Sequence, residues 1–167
     1  GPGSLGGAGA AGQVHNGADD NGSGTVPLLE MAEYFAEAQN RPRRSLLFLS
    51  FSGEELGLLG SLYYAEHPVV PLADSVAMVN LDMVGRCSKG SLEVGGVGTG
   101  TGLKEVVQAA NARQGFEIRW DAQGEAPTDS TSFFRKKVPV LWLFTGLHDD
   151  YHRPGDDIEK VCFDDLQ

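Results

Sequence analysis

The sequence lacks three features that would place it in large classes of protein. No run of about 18 apolar residues occurs, so we expect no membrane-spanning helix. Two cysteines among 167 residues, Cys87 and Cys162, fit neither a disulfide-rich scaffold nor a cysteine-based zinc motif. Only 13 Lys and Arg stand against 23 Asp and Glu, which gives a net charge of −10. Because nucleic acids and anionic membrane surfaces bind through clustered cations, neither is an expected partner.

Motifs of several other enzyme classes are also missing. The chain has no Gly-x-Ser-x-Gly elbow for a serine nucleophile, and neither cysteine has a histidine near it in sequence. The segment 96–100 is rich in glycine, but it has neither the spacing nor the Lys-Ser/Thr ending of a phosphate-binding loop. Nucleophilic and nucleotide-dependent chemistry are therefore disfavoured.

Length and hydrophobicity are sufficient for one domain. A chain of 167 residues with 41% hydrophobic residues can bury a sizeable core without disulfide bonds. Residues 1–17 contain seven glycines and predict a flexible Gly-rich loop, of which Gly1-Pro2-Gly3-Ser4 resembles a tag remnant left by a protease. The folded domain is expected to cover residues 18–167.

The apolar pattern predicts alternating strands and helices. Short continuous apolar runs predict three buried strands: 45–51, 76–81 and 138–144. Two weaker patterns predict further strands, of which the second alternates like an edge strand: 91–94 and 116–120. Apolar residues at helical spacing predict three helices: 25–38, 56–66 and 102–114. This alternation favours an α/β sandwich with a largely parallel sheet.

Residues able to bind metal follow the predicted buried strands. They are Glu54 and Glu55, then Asp82, then His148 and His152. The pair Asp19-Asp20 precedes the first helix and is expected at the same rim. Because sites in such sheets form beyond the carboxyl ends of the strands, we expect these side chains to converge.

Each of these residues also has an ordinary structural interpretation. Asp19 and Asp20 are suited to capping a helix, and adjacent glutamates usually lie in solvent. A histidine in a loop, such as His152, is often an ordinary surface residue. His148 lies in the same loop and is the competing candidate for the metal ligand. For Glu54 and Glu55, the functional interpretation is that the two adjacent side chains diverge and take different roles. One can bind a metal while the other faces the metal-bound water, as metal-assisted hydrolysis requires.

Four segments together resemble the co-catalytic two-zinc aminopeptidase family, the bacterial leucyl aminopeptidase type. They are Asn16–Gly24, Ser52–Ser61, Asn80–Gly85 and Asp150–Asp156. The resemblance implies an α/β three-layer sandwich of the zinc-exopeptidase type, with a mostly parallel mixed sheet and with the N-terminal strands missing. Residues 18–167 would then form a partial zinc peptidase catalytic domain.

The resemblance implies four zinc ligands: Asp19, Glu55, Asp82 and His152. Asp19 would bridge two zinc ions. Glu55 and His152 would complete one zinc site, and Asp82 would bind the other ion. The family has a further ligand histidine in a His-x-Asp motif upstream, which is absent between Gly1 and Asp19, and His15 does not match it. The resemblance implies two zinc ions per site in the intact family. With this histidine absent, the site of the present chain is expected to hold either one zinc ion or two. We also expect the activity of this chain alone to be impaired.

The resemblance also implies the chemistry. The enzyme would hydrolyse peptide bonds and remove N-terminal residues from peptides with a free N-terminus. Glu54 would be the general base, and the phenol of Tyr151 would donate to the oxyanion. Asp129 matches a short acidic motif, but Ser130 stands where the family often has histidine, so Asp129 receives no role. Most members act outside the cytoplasm, which implies a periplasmic or secreted location.

Three alternatives remain open at this point. A glutaminyl cyclase of the same fold would use one zinc ion, and a carboxypeptidase would need a basic pocket that the sequence does not reveal. A non-catalytic binding scaffold with the peptidase fold would be expected to lose ligand or base residues.

Overall fold

The computed structural model describes residues 4–86 and 90–166, within which four strands form one sheet. The strands are β1 (Met78–Leu81), β2 (Ser91–Gly95), β3 (Glu117–Trp120) and β4 (Val140–Phe144). Their order across the sheet is β1-β4-β2-β3. The β1–β4 and β2–β3 pairs are parallel, and the β2–β4 pair is antiparallel. The predicted α/β fold with a mostly parallel mixed sheet is confirmed, and β3 lies at an edge as its alternation predicted.

The described residues contain four α-helices. They are α1 (Gly24–Ala36), α2 (Leu59–Glu66), α3 (Leu103–Gln114) and α4 (Ser130–Phe134). Helices α1 and α3 match their predictions closely. Helix α2 begins later than predicted. A short turn at Glu54–Leu56 is followed by Gly57 and Leu58, whose φ angles of 99° and 61° are left-handed and prevent a continuous helix. Helix α4 was not predicted, since five residues are too few to show a helical period.

The predicted strand at 45–51 is not formed. This segment has no strand pairing with any described residue, and Leu46 and Leu47 are about half exposed. Leu49 and Phe51 nevertheless pack against the hydrophobic core. A strand needs a neighbour that accepts and donates its backbone hydrogen bonds. The apolar composition of the segment therefore indicates packing correctly, but composition alone does not supply a partner strand.

The hydrophobic core holds together the part of the sheet that carries the site. Its buried centre is Phe133, Val138 and Val140, and the ring of Phe133 lies 5.9 Å from that of Phe51 and 5.8 Å from that of Tyr64. Helix α4 packs against both β4 and β1. The core thus fixes the two parallel strands whose carboxyl ends lead into the functional loops.

The opening segment is attached to the body by hydrogen bonds. The backbone N–H of Leu5 donates to the carbonyl of His152 at 2.9 Å, and the side-chain amide of Asn16 donates to Asp157 at 2.6 Å. The boundary at residue 17 stays a prediction. Cys162 is a partly buried free thiol, and Cys87 lies outside the described residues. Within the described ranges, no helix has the length and apolar character needed to cross a bilayer.

Candidate metal centre

The loops after β1 and β4 meet at one edge of the sheet. The two strands are parallel, so their carboxyl ends point the same way. Backbone hydrogen bonds hold the two connections together: the N–H of Asp82 donates to the carbonyl of Leu143 at the end of β4, and the N–H of Thr145 donates to that of Met83. The position of these loops at one rim follows the prediction.

Three side chains converge at this rim in a geometry suited to a metal ion. Asp20, Glu55 and His152 each offer one ligand atom, and these atoms all lie within 4.8 Å of one another. His152 Nε2 lies 2.7 Å from Glu55 Oε1 and 3.1 Å from Asp20 Oδ2. The side chains of Asp20 and His152 are about 15% exposed and that of Glu55 is 46% exposed. The group therefore opens to solvent on the Glu55 side.

Asp19 does not belong to this group, which departs from the expected ligand set. Its carboxylate is fully buried and accepts hydrogen bonds from the N–H of Gly85 at 2.7 Å and the hydroxyl of Ser23 at 2.8 Å. Its other oxygen lies 3.1 Å from Nε2 of His148. A Cβ at position 85 would lie 2.9 Å from Asp19 Oδ1, so glycine permits this approach. Asp19 thus has hydrogen-bond partners within the protein, and its neighbour Asp20 supplies the carboxylate of the three-residue group.

The turn that carries the two aspartates explains why they separate. Gly17 has a φ of 61°, and a Cβ there would lie 2.5 Å from the carbonyl oxygen of Asp20. Asp20 itself has φ −103° and ψ 91°, so the chain is extended at this residue and successive side chains diverge. The side chain of Asn21 then ties the turn to the end of β1, donating to the carbonyl of Leu81 and accepting from Met83.

The two histidines that compete for one role face different carboxylates. His148 faces the buried carboxylate of Asp19, and His152 faces Asp20 and Glu55. His152 has a φ of 54°, a left-handed conformation that is uncommon outside glycine. Of the two, the structure brings only His152 into the three-residue group.

Asp82 and Glu54 lie close to the group and add negative charge to it. Asp82 accepts a hydrogen bond from the Thr128 hydroxyl at 2.9 Å, and burial raises the pKa of its carboxyl above the usual range. Burial, followed by the charges of Asp82 and Glu55, raises the pKa of Glu54 to about 7. Glu54 is therefore poised to hold or release a proton near neutral pH.

Within the three-residue group, the pKa of Asp20 is raised in the same way. Burial raises the pKa of Asp20 to about 7, and the charges of Glu55 and Asp82 push in the same direction. Carboxylates gathered without a compensating cation resist ionisation. Charge crowding of this kind is relieved by a bound cation.

Tyr151 and Asp129 complete the surroundings. The ring of Tyr151 stacks on that of His152 with centroids 3.8 Å apart, and burial together with nearby carboxylates raises its pKa to about 12. The phenol therefore stays protonated and can donate a hydrogen bond. Asp129, which has no role in the sequence prediction, lies near enough for its charge to raise the pKa of Glu54. Its Oδ1 is buried without a hydrogen-bond partner among the described residues.

The donor set of the group matches zinc. Zinc in catalytic sites takes three protein ligands from histidine nitrogen and carboxylate oxygen, each at about 2.0–2.2 Å, and leaves one position open. Asp20, Glu55 and His152 supply two oxygens and one nitrogen, and the solvent-facing side leaves room for a water molecule.

Comparison with known proteins assigns the chain. The model of peptidase family M28 matches residues 4–167. The chain belongs to peptidase family M28. Aminopeptidase YwaD of Bacillus subtilis is 33% identical over 162 residues, a match that covers 90% of this M28 chain and 35% of YwaD. Leupeptin-inactivating enzyme 1 of Streptomyces exfoliatus is 30% identical over 145 residues, 86% of this chain and 32% of that protein.

Solved structures agree on the fold. BSAP, a zinc aminopeptidase from Bacillus subtilis, superposes with a TM-score of 0.76 at 30% identity, over 91% of this M28 chain and 39% of that chain. Glutaminyl cyclase from Porphyromonas gingivalis superposes with a TM-score of 0.69 at 24% identity, over 92% of this chain and 59% of its own, which shows a shared fold alone. The chain spans about a third of the length of the curated relatives it matches.

Proposed function

We propose that this chain carries the catalytic centre of a zinc-dependent aminopeptidase that removes residues from the free N-terminus of peptides. The observation that carries the proposal is the convergence of Asp20, Glu55 and His152 at the edge of the sheet. The family, and zinc aminopeptidases among its similar structures, support the same activity.

In the proposed site, Asp20, Glu55 and His152 hold a zinc ion. When bound, the ion polarises the scissile carbonyl and lowers the pKa of a water molecule toward neutrality. Asp82 is the proposed ligand of a second ion. Its carboxylate lies close enough to the three-residue group for its charge to raise the pKa of Asp20. Asp20 replaces Asp19 in the proposed ligand set, because both oxygens of Asp19 have partners within the protein.

The proton transfers are assigned to Glu54. Its carboxylate takes a proton from the attacking water and passes it to the nitrogen of the leaving amine. In the metal-free chain, burial and the neighbouring carboxylates raise the pKa of Glu54 to about 7. A carboxyl whose pKa is raised toward neutrality is suited to accept a proton and then release it. The protonated phenol of Tyr151 donates a hydrogen bond to the oxygen of the attacked carbonyl, where negative charge develops.

The substrate class follows from charge. The net charge of −10 and the carboxylates at the rim favour a cationic group such as the α-ammonium of a peptide. Peptides with a free N-terminus are therefore the proposed substrates. An extracytoplasmic location remains part of the proposal and rests on the family resemblance.

Zinc binding and turnover of the Glu54→Gln variant test the function. The wild-type chain should bind zinc in stoichiometric amounts after dialysis, as measured by elemental analysis. Glu54→Gln should keep this zinc and lose at least 100-fold in zinc-dependent hydrolysis of an aminoacyl p-nitroanilide, the scale of general-base catalysis. Zinc-free wild-type protein, or undiminished turnover of Glu54→Gln, would overturn the proposal.

Glutaminyl cyclisation is the second candidate, because the described residues gather one three-ligand group and the cyclase needs one zinc ion. A peptide with N-terminal glutamine distinguishes the two. Release of ammonia with formation of pyroglutamate supports the cyclase, and release of free glutamine supports the aminopeptidase.

A further inference from the structure

Asp156 is buried beside the turn that carries Asp20. Its side chain is 3% exposed, and both of its oxygens accept the backbone N–H of Asp19, at 3.1 and 3.0 Å. Oδ2 also accepts the N–H of Asp20 at 3.0 Å. The carbonyl of Asp156 accepts the N–H of Ala18. One residue therefore binds three consecutive amides of the turn.

Arg86 compensates the charge of this buried carboxylate. Its Nη2 donates to Asp156 Oδ1 at 2.8 Å, and its Nη1 donates to Asp150 Oδ2 at 3.3 Å. A buried carboxylate is costly unless it is paired and hydrogen-bonded, and here both conditions are met. The pair is therefore an integral part of the fold at this rim.

The location of Asp156 connects two ligand-bearing loops. It lies four residues after His152, and the backbone between them is held by hydrogen bonds from Arg153 to Asp150 and from Asp156 to Arg153. Its carboxylate reaches across to the amide of Asp20. The positions of the Asp20 and His152 side chains are thus linked through one rigid set of hydrogen bonds.

We propose that Asp156 is a positioning residue that holds Asp20 and His152 at the separation needed to bind one metal ion. The inference rests on the proposed function for the identity of the ligands. Asp156 is not one of the three residues whose ligand atoms converge. It acts through the backbone of Asp20, and loss of such outer contacts weakens metal binding by about 10- to 100-fold in other proteins.

The first test compares Asp156→Asn with Asp157→Asn in the full chain. At position 156, asparagine replaces one acceptor oxygen with an NH₂ group that faces backbone N–H donors. We expect Zn²⁺ affinity, measured by competition with a chelator and scaled to the folded fraction, to fall about 10- to 100-fold. The control makes the same charge change one residue away, where Asp157 contacts Asn16, and should change affinity less than about threefold. Equal affinities for both variants would overturn the proposal.

Two further variants separate positioning from loss of folding. Asp156→Asn leaves Arg86 without this charge partner, so Arg86→Gln/Asp156→Asn removes both charges and should keep the weakened affinity in a folded chain. Asp20→Asn/Asp156→Asn should bind Zn²⁺ no more weakly than Asp20→Asn, because Asp156 acts through Asp20. Additive losses would refute action through Asp20. Failure of wild-type protein to bind zinc would instead overturn the proposed function, so the two failures are distinguishable.

Discussion

Substituting each of two adjacent aspartates in turn gives the sharpest prediction. Asp19→Asn and Asp20→Asn are almost identical changes in sequence, but they should have opposite consequences. Asp19 is buried with three hydrogen-bond contacts, and Asp20 is one of the three proposed metal ligands. Asp19→Asn should therefore lower stability, and Asp20→Asn should lower metal affinity.

The magnitude for Asp19 follows from its contacts. Asparagine keeps the oxygen that accepts from Gly85 and Ser23, and it loses the charged oxygen that faces His148. Hydrogen bonds to charged groups contribute about 1.5–3 kcal/mol each. We expect the free energy of unfolding of the metal-free chain to fall by about 2–3 kcal/mol, with Zn²⁺ affinity of the folded chain changed by less than about threefold.

In the absence of metal, Asp20→Asn should change the free energy of unfolding in the opposite direction from Asp19→Asn. Its raised pKa means that the ionised form is disfavoured in the folded chain at pH 8. A shift from 3.8 to about 7 corresponds to about 4 kcal/mol, which solvent screening at this partly exposed site reduces to about 1 kcal/mol. Metal-free Asp20→Asn should therefore be about 1 kcal/mol more stable than wild type at pH 8, and it should lose zinc on dialysis.

Urea unfolding of the metal-free proteins and chelator competition with Zn²⁺ measure the two effects separately. The matched pair of variants controls for charge and for the disturbance of the turn. If Asp19→Asn releases zinc while Asp20→Asn retains it at wild-type affinity, the ligand assignment drawn from the structure is wrong and the one drawn from the sequence is restored.

The site and the sheet support four further predictions. The raised pKa values of Asp20 and Glu54 contribute stability below about pH 4 that is lost as pH rises through about 7, so metal-free protein should unfold at lower urea concentration at pH 8 than at pH 5. Saturating Zn²⁺ should remove that difference, and an unchanged midpoint would contradict it. Tyr151→Phe should lower kcat by about 10- to 100-fold with zinc content retained, since only the donor is removed; an unchanged kcat would exclude the donor role. Asp82→Ala should lower zinc occupancy in elemental analysis after dialysis, whereas full occupancy would remove Asp82 from the ligand set. Gly95→Ala should destabilise the chain by about 2 kcal/mol or more in urea, because the new Cβ would overlap the Trp142 ring; wild-type stability would show that this ring can move.

The sequence by itself determined the family and the loops that form the site. Four short segments identify an M28 chain, and the apolar runs that precede Asp82 and follow Lys137 correctly mark β1 and β4. Because parallel strands deliver their carboxyl ends to one edge, the convergence of the following loops could be predicted from strand order alone. Glu55 and His152 were placed at the rim on this basis, and the structure brings their ligand atoms within 2.7 Å of each other.

Only the tertiary structure decided which side chain of an adjacent pair faces the site. Asp19 and Asp20 are equivalent in composition and charge, and the choice depends on backbone angles in a turn that distant residues hold. Asp156 binds the backbone of that turn although it lies 136 residues from Asp20 in the sequence, and no local sequence pattern predicts such a contact. The segment 45–51 makes the same point for secondary structure, because a strand exists only where another strand completes its hydrogen bonds. Local sequence specifies which residues are available, and long-range contacts specify where they point.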